Sequence, residues 1–227
     1  MKKYLVLAFK HPASFFILAA VLGSLAAYLY IKQPVGLAGI TTAQFIIKHT
    51  LKPSPFNPEI APSDSMKGKI ATYSGVVKWQ SRVATEAAQI KLPDFIQQGE
   101  TLETGDFGRT TVKFPGVSRI ILFSQTKLDF AQTLPANIVL VQGKGKVEYQ
   151  KLGDKDISVR ALHLLIEQLW GNVVVSMSKD DPTMTVDVRS GAVKIAYNDS
   201  QNISREETVN TGQWLVFDDK TREITLW

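Results

Sequence analysis

Residues Gln97 to Phe114 read QQGETLETGDFGRTTVKF, and the fold turns on whether this is a ligand-cradling loop or a piece of sheet. A phosphate cradle needs a strand, glycines and then a helix whose first amides hold the anion. Here the residues after Gly108 alternate instead, with Thr111 and Lys113 set against Val112 and Phe114. That is the two-residue period of a strand. No Gly-Lys-Ser/Thr follows. The chain runs on as PGVSRIILFSQTKLDF. The whole stretch therefore reads as a strand, a turn at Thr104-Gly105, a second strand, a turn at Pro115-Gly116 and a third strand. Asp106 and Arg109 are expected in solvent.

The same texture extends outward from Gly68. SRIILF, TKLDF, NIVLVQ, VVVSM, TMTVDV, AVKIAY and QWLVF are short runs rich in β-branched and aromatic residues, many bounded by Gly, Pro, Asn or Asp. They predict an all-β domain over residues 67–227 with about ten to thirteen strands. Only Arg160 to Trp170, RALHLLIEQLW, also suits a helical turn. A strand, a glycine and a nearby valine recur as YSGVVKW (73–79), GKGKVEY (143–149) and RSGAVKI (189–195). The spacing is too irregular for a strict solenoid. It predicts strands chained by tight arcs or hairpins into a rolled or stacked sheet, sandwich-like or solenoid-like.

Upstream, Pro12 to Ile31 is a run of 20 residues without a charge. As a helix it spans roughly 30 Å, the hydrocarbon thickness of a bilayer. Phe15 and Phe16 sit near one end, Tyr28 and Tyr30 near the other, and Lys2, Lys3 and Lys10 precede it while Lys32 alone follows closely. This asymmetry predicts a single-pass plasma-membrane anchor with residues 1–11 in the cytoplasm and the β-domain outside. A cleaved signal peptide has a shorter apolar region followed by small residues, whereas this one ends in Tyr-Leu-Tyr-Ile-Lys. Residues 32–66 form the juxtamembrane linker. Thr41 to Lys52 suits a short amphipathic helix, and Pro53, Pro55, Pro58 and Pro62 then stiffen an extended spacer.

Charge and composition exclude several functions. The formal net charge is +5, but residues 1–66 carry six lysines against Glu59 and Asp64, so the β-domain is nearly neutral. With no basic stripe interleaved with aromatics, nucleic acid is not an expected partner. There is no cysteine, hence no disulfide, thiolate nucleophile or cysteine-held metal. His11, His49 and His163 lie far apart, without metal-ligand spacing. Asp180-Asp181 and Asp218-Asp219 sit beside turn residues without the spaced oxygens of a calcium loop. Asn198 and Asn202 begin formal glycosylation sequons, read here as loop composition. No catalytic, metal or cofactor residues are assigned.

The punctuation GVV, GETLETGDFGRTTVKF, GVSRIILFSQTKLDF, NIVLVQGKGKVEY, TVDVRSGAVKI and VNTGQWL, in that order over Gly75 to Trp214, resembles the FecR-type domain of extracytoplasmic signal transducers such as the iron-dicitrate sensor. The resemblance implies an all-β extracytoplasmic domain behind one membrane helix, engaging a partner protein or envelope component in signal transduction. Its best-known members sense an outer-membrane transporter and carry a cytoplasmic anti-sigma segment. Here the tail of 11 residues is too short for that segment, and Gly171-Asn172 stands where the family often has Gly-Thr.

Two other functions compete with this one. APSDSMKGK, with Ser63 and Ser65 behind an anchor, resembles the nucleophile box of type I signal peptidases. Those enzymes pair the serine with a neutral lysine, but the segment aligning with their base offers Arg119, which cannot deprotonate at working pH. A structural protein that self-associates through strand edges is the third possibility.

Overall fold

The computed structural model describes residues 57–90, 95–178 and 180–227. The expected cytoplasmic tail, membrane anchor and amphipathic segment, and the first prolines of the expected linker, lie outside the described residues. Among the described residues no helix is long and apolar enough to cross a membrane. The described β unit runs from Asn57. Met66, at the end of the expected linker, is tied to the sheet. Its N–H donates to the Thr133 carbonyl at 2.6 Å, and the Thr133 hydroxyl returns a bond to the Met66 carbonyl at 2.8 Å.

Every regular element among the described residues is a strand, as the alternating sequence requires. In chain order they are β1 (Gly68–Ser74), β2 (Val77–Gln80), β3 (Ala88–Gln89), β4 (Phe95–Ile96), β5 (Thr101–Thr104), β6 (Arg109–Phe114), β7 (Ser118–Leu122) and β8 (Lys127–Thr133). Then come β9 (Asn137–Lys151), β10 (Asp156–Ala161), β11 (Leu164–Met177), β12 (Thr183–Asn198), β13 (Ser204–Asn210), β14 (Trp214–Asp218) and β15 (Glu223–Leu226). The ambiguous segment Arg160 to Trp170 is no helix. It ends β10, turns at Leu162-His163 and enters β11.

All fifteen strands join one sheet, which folds over into two facing layers. The first layer runs β3-β2-β5-β8-β9-β10-β11-β12-β13, and the second runs β4-β1-β6-β7-β9-β11-β12-β14-β15. The strands β9, β11 and β12 appear twice because each is long enough to serve both layers. Residues 137–144 of β9 pair with β8 and β10, and residues 145–151 pair with β7 and β11. In the second layer β9 and β11 are direct neighbours. In the first they diverge, and β10 fills the gap, parallel to β9 and antiparallel to β11.

The core lies between the layers. Inward positions such as Phe114, Phe130, Leu140, Tyr149, Val175, Val186 and Phe217 are buried. Phe114 of the second layer meets Phe130 of the first with ring centroids 6.1 Å apart, and Tyr197 meets Phe217 across the same gap at 5.7 Å. The Tyr149 hydroxyl, sealed in this core, donates to Gln142 Oε1 at 2.9 Å, so the buried polar group is satisfied. Burial pushes its pKa up.

The recurring glycine motif acquires a different meaning here. Gly75 joins β1 of the second layer to β2 of the first, but Gly145 and Gly191 lie inside continuous strands. The motif marks where the chain passes from one layer to the other, and only the first instance is a connection between strands. Of the tight arcs or hairpins expected from the sequence, residues 143–149 and 189–195 form no hairpin; they are bends within long continuous strands. Gly171 of β11 pairs with Gly191 of β12, both with φ of 86°. A Cβ on Gly191 would sit 2.0 Å from the Trp170 carbonyl oxygen, and one on Gly171 would sit 2.2 Å from that of Ser190. Neither contact is tolerable, so both strands bend here only because no side chain is present.

This geometry separates two substitutions. Gly191→Ala meets both the positive φ and the backbone clash, whereas Gly212→Ala has the same backbone sign (φ 81°) with open space around it. Gly212→Ala should cost about 1 kcal/mol, and Gly191→Ala about 3 kcal/mol or more. Urea unfolding midpoints of the two variants, measured side by side, check the ranking.

Candidate functional site

Binding surfaces on a sheet come from outward-facing rows and from edges whose backbone is unpaired. One row crosses the outer face of the second layer: Thr111, Ile121, Glu148, Val174, Asp187 and Trp214 are successive partners from β6 to β14. Ile121, Glu148 and Val174 are buried although they point outward.

Glu148 organises the polar part of this row. It accepts hydrogen bonds from Gln150 Nε2 at 2.7 Å and Asn172 Nδ2 at 2.9 Å, and Arg189 Nη1 lies 3.6 Å away. Burial raises its pKa. The two amide hydrogen bonds and the charges of Arg189 and Arg109 outweigh that effect and hold the carboxyl below its usual range.

The row ends in aromatic surface. Trp214 and the final residue, Trp227, exchange backbone hydrogen bonds at 2.9 and 3.2 Å, and their rings meet edge-on with centroids 6.4 Å apart. They are 50% and 66% exposed, and Leu226 beside them is 42% exposed. Strand β15 forms the edge of this layer among the described residues. Exposed tryptophans beside a sheet edge offer an apolar anchor and backbone groups together. Trp170 is a separate exposed ring. It covers the Lys151 ammonium, 4.8 Å from its centroid.

The residues singled out in the sequence fall elsewhere. Asp106 and Arg109 are exposed but engaged: Asp106 accepts from Gln125 Nε2 at 2.6 Å, and the Arg109 guanidinium lies 4.8 Å from the Phe123 ring centre. Thr104, Gly105 and Asp106 line a cleft of about 740 Å³. Ser65 sits beside the Met66–Thr133 clamp, with its N–H donating to the Pro62 carbonyl at 3.0 Å. Arg119 belongs to β7, opposite Lys113 and Gln150. Among the described residues no hydrogen bond or ion pair links Ser63 or Ser65 to a basic side chain. His163 Nδ1 lies 2.7 Å from Asp219 Oδ1, joining the β10–β11 turn to the β14–β15 turn. Asp181 and Asp218 accept backbone N–H groups within their own turns, and Asn198 accepts the Ser204 hydroxyl. His11 and His49 lie outside the described residues. Among the described residues no three His, Asp or Glu converge as a metal site.

The aromatic pair and the Glu148 cluster escaped the sequence reading. QWLVF marks a strand, but the outward direction of Trp214 and its partner at residue 227 emerge only from the register.

No family model matches the chain. No curated protein matches it either. Two solved structures of a protein from Parabacteroides distasonis ATCC 8503, described as a "putative anti-sigma factor", are similar to 56% of this chain at 17% and 16% identity, each with a TM-score of 0.49. The similarity spans 58% of that protein, less than two thirds of its length.

The lowered pKa of Glu148 fixes the sign of a pH effect. Its stabilising contribution is fully present above the unfolded-state value, about 4.3, and is lost as pH falls through the folded value. Wild type should therefore exceed Glu148→Gln in stability at neutral pH, and the gap should close in acid. Urea midpoints of both proteins from pH 7 to pH 3 provide the check.

Proposed function

We propose that this chain is a membrane-anchored extracytoplasmic binding module of sensor type, whose aromatic edge engages a partner protein. The observation that carries the reading is the exposed Trp214–Trp227 pair with Leu226 at the β15 edge. Large contiguous apolar surface beside an open edge marks interaction sites in soluble domains. Tryptophan is the residue type most enriched among interface residues that dominate affinity. The membrane part rests on the uncharged segment Pro12 to Ile31 and the lysines that precede it. The signalling part rests on the resemblance to the FecR-type domain. The reading is non-enzymatic, and the partner supplies any route across the membrane.

Photocrosslinking residues placed at Thr225 and Leu226 of the full-length protein in cells should yield one dominant protein adduct. The same residue at Lys113, on β6, should not. Identical adducts from both positions, or adducts only to itself, would overturn the proposal. Trp214→Ala should weaken the adduct by about 2 kcal/mol of affinity or more, while costing the fold only about 0.5–1.5 kcal/mol for the lost ring pair. Protease added outside intact cells should remove the β-domain, and full protection would refute the topology.

A further inference from the structure

The outer face of the first layer carries a second row. Lys78 of β2 pairs with Glu103 of β5, Glu103 with Lys127 of β8, and Lys127 with Lys144 of β9. Three ammonium groups thus share one carboxylate across four adjacent strands. Glu103 is committed to Lys144, with Oε1 2.6 Å from Nζ. The hydrogen bond from Lys144, helped by the charges of Lys144, Lys127 and Lys78, holds the Glu103 carboxyl below its usual range against the opposing effect of burial. Lys78 and Lys127 form no ion pair with another described residue. Like charges placed directly opposite, as Lys127 and Lys144 are, destabilise a sheet. The register pays this cost where a neutral residue would avoid it.

The row borders the cleft of about 740 Å³ at the crossing between the layers, within the size range of ligand pockets. Lys78 and Lys144 line it, and Lys146 joins them just past the bend at Gly145. Lys146 is held 5.3 Å from the Phe123 ring centre, which fixes its position. Of the acids in the cleft, Glu103 and Asp106 already have partners, Lys144 and Gln125. Asp180 also lines the cleft, as an opposing charge. Adjacent strands lie about 4.8 Å apart, so the row from Lys78 to Lys144 is roughly 14 Å long. A single small anion cannot span that length, but a short linear polyanion can.

We propose that this cleft and its lysine row bind a linear polyanion, with charges borne on phosphate or carboxylate groups. This is independent of the aromatic edge, which lies in the other layer. Lys78, Lys127 and Lys144 contact successive charges of the chain, and Lys146 holds one at the cleft. Glu103 opposes binding and sets its strength.

The test uses the full-length protein in detergent and two probes, a linear medium-chain polyphosphate long enough to span the row and a hexaglutamate peptide, titrated at several salt concentrations. Saturable binding of either probe is expected. Binding of the polyphosphate alone would identify phosphate as the charge carrier, and hexaglutamate alone would identify carboxylate. Lys78→Gln, Lys127→Gln and Lys144→Gln should each weaken binding about two- to five-fold and make the salt dependence shallower. Glu103→Gln should tighten it by a similar factor, an effect opposite in sign that misfolding does not produce. Lys155→Gln and Lys194→Gln, which do not line the cleft and are engaged by Pro135 and Glu206 elsewhere, should leave it unchanged. Absence of saturable binding by both probes, equal losses from the remote lysines, or no tightening by Glu103→Gln would each overturn the proposal.

Discussion

Three strands serve two layers at once: β11 and β12 because two glycines lie back to back, and β9 because Gly145 bends it. At Gly171 and Gly191 each backbone passes so close to the carbonyl of the other strand that no Cβ fits. The bend sends β11 and β12 from one layer into the other, carries β13 and β14 to opposite sides of the core, and leaves the far end of β9 free to part from β11. The wedge strand β10 exists because of that parting. A parallel strand between two antiparallel neighbours needs a gap that only bent strands open.

The two candidate surfaces arise from two bends of the same kind. Where β12 enters the second layer it recruits β14, which places Trp214 at the end of the row through Glu148 and Val174. Where β9 leaves the first layer at Gly145, its last residues bring Lys144 beside Lys127 and Glu103. Both rows are products of register, in which residues far apart in the chain become neighbours about 4.8 Å apart. One layer thus presents an apolar anchor and the other a line of positive charge.

The period-two alternation of Gln97 to Phe114 is enough to exclude a phosphate loop, because its inward residues, Val112 and Phe114, must be buried together. The glycines at 75, 145 and 191 are legible as special backbone positions. Their role is not, since a hairpin and a bent continuous strand leave the same local trace: a glycine flanked by β-branched residues. The parallel placement of β10 is illegible for a related reason. DISVRA (156–161) carries local preferences alone, and the gap that receives it is bounded by β9 and β11 and opened by bends in those strands. The lysine row is invisible for the simplest reason. Lys78, Glu103, Lys127 and Lys144 are scattered over 67 residues of chain and become one feature only through pairing.

Continuous strands also have a consequence for how the domain comes apart. In an ordinary sandwich each sheet owns its strands, and one sheet can loosen while the other holds. Here β9, β11 and β12 supply the middle of both layers, so neither half possesses a complete set of hydrogen-bonded neighbours. Fraying one layer strips partners from the other, which binds the two into a single cooperative unit. Amide protons of both layers along these strands then exchange with solvent by the same rare global opening, and the domain has no stable half-folded form in which to linger.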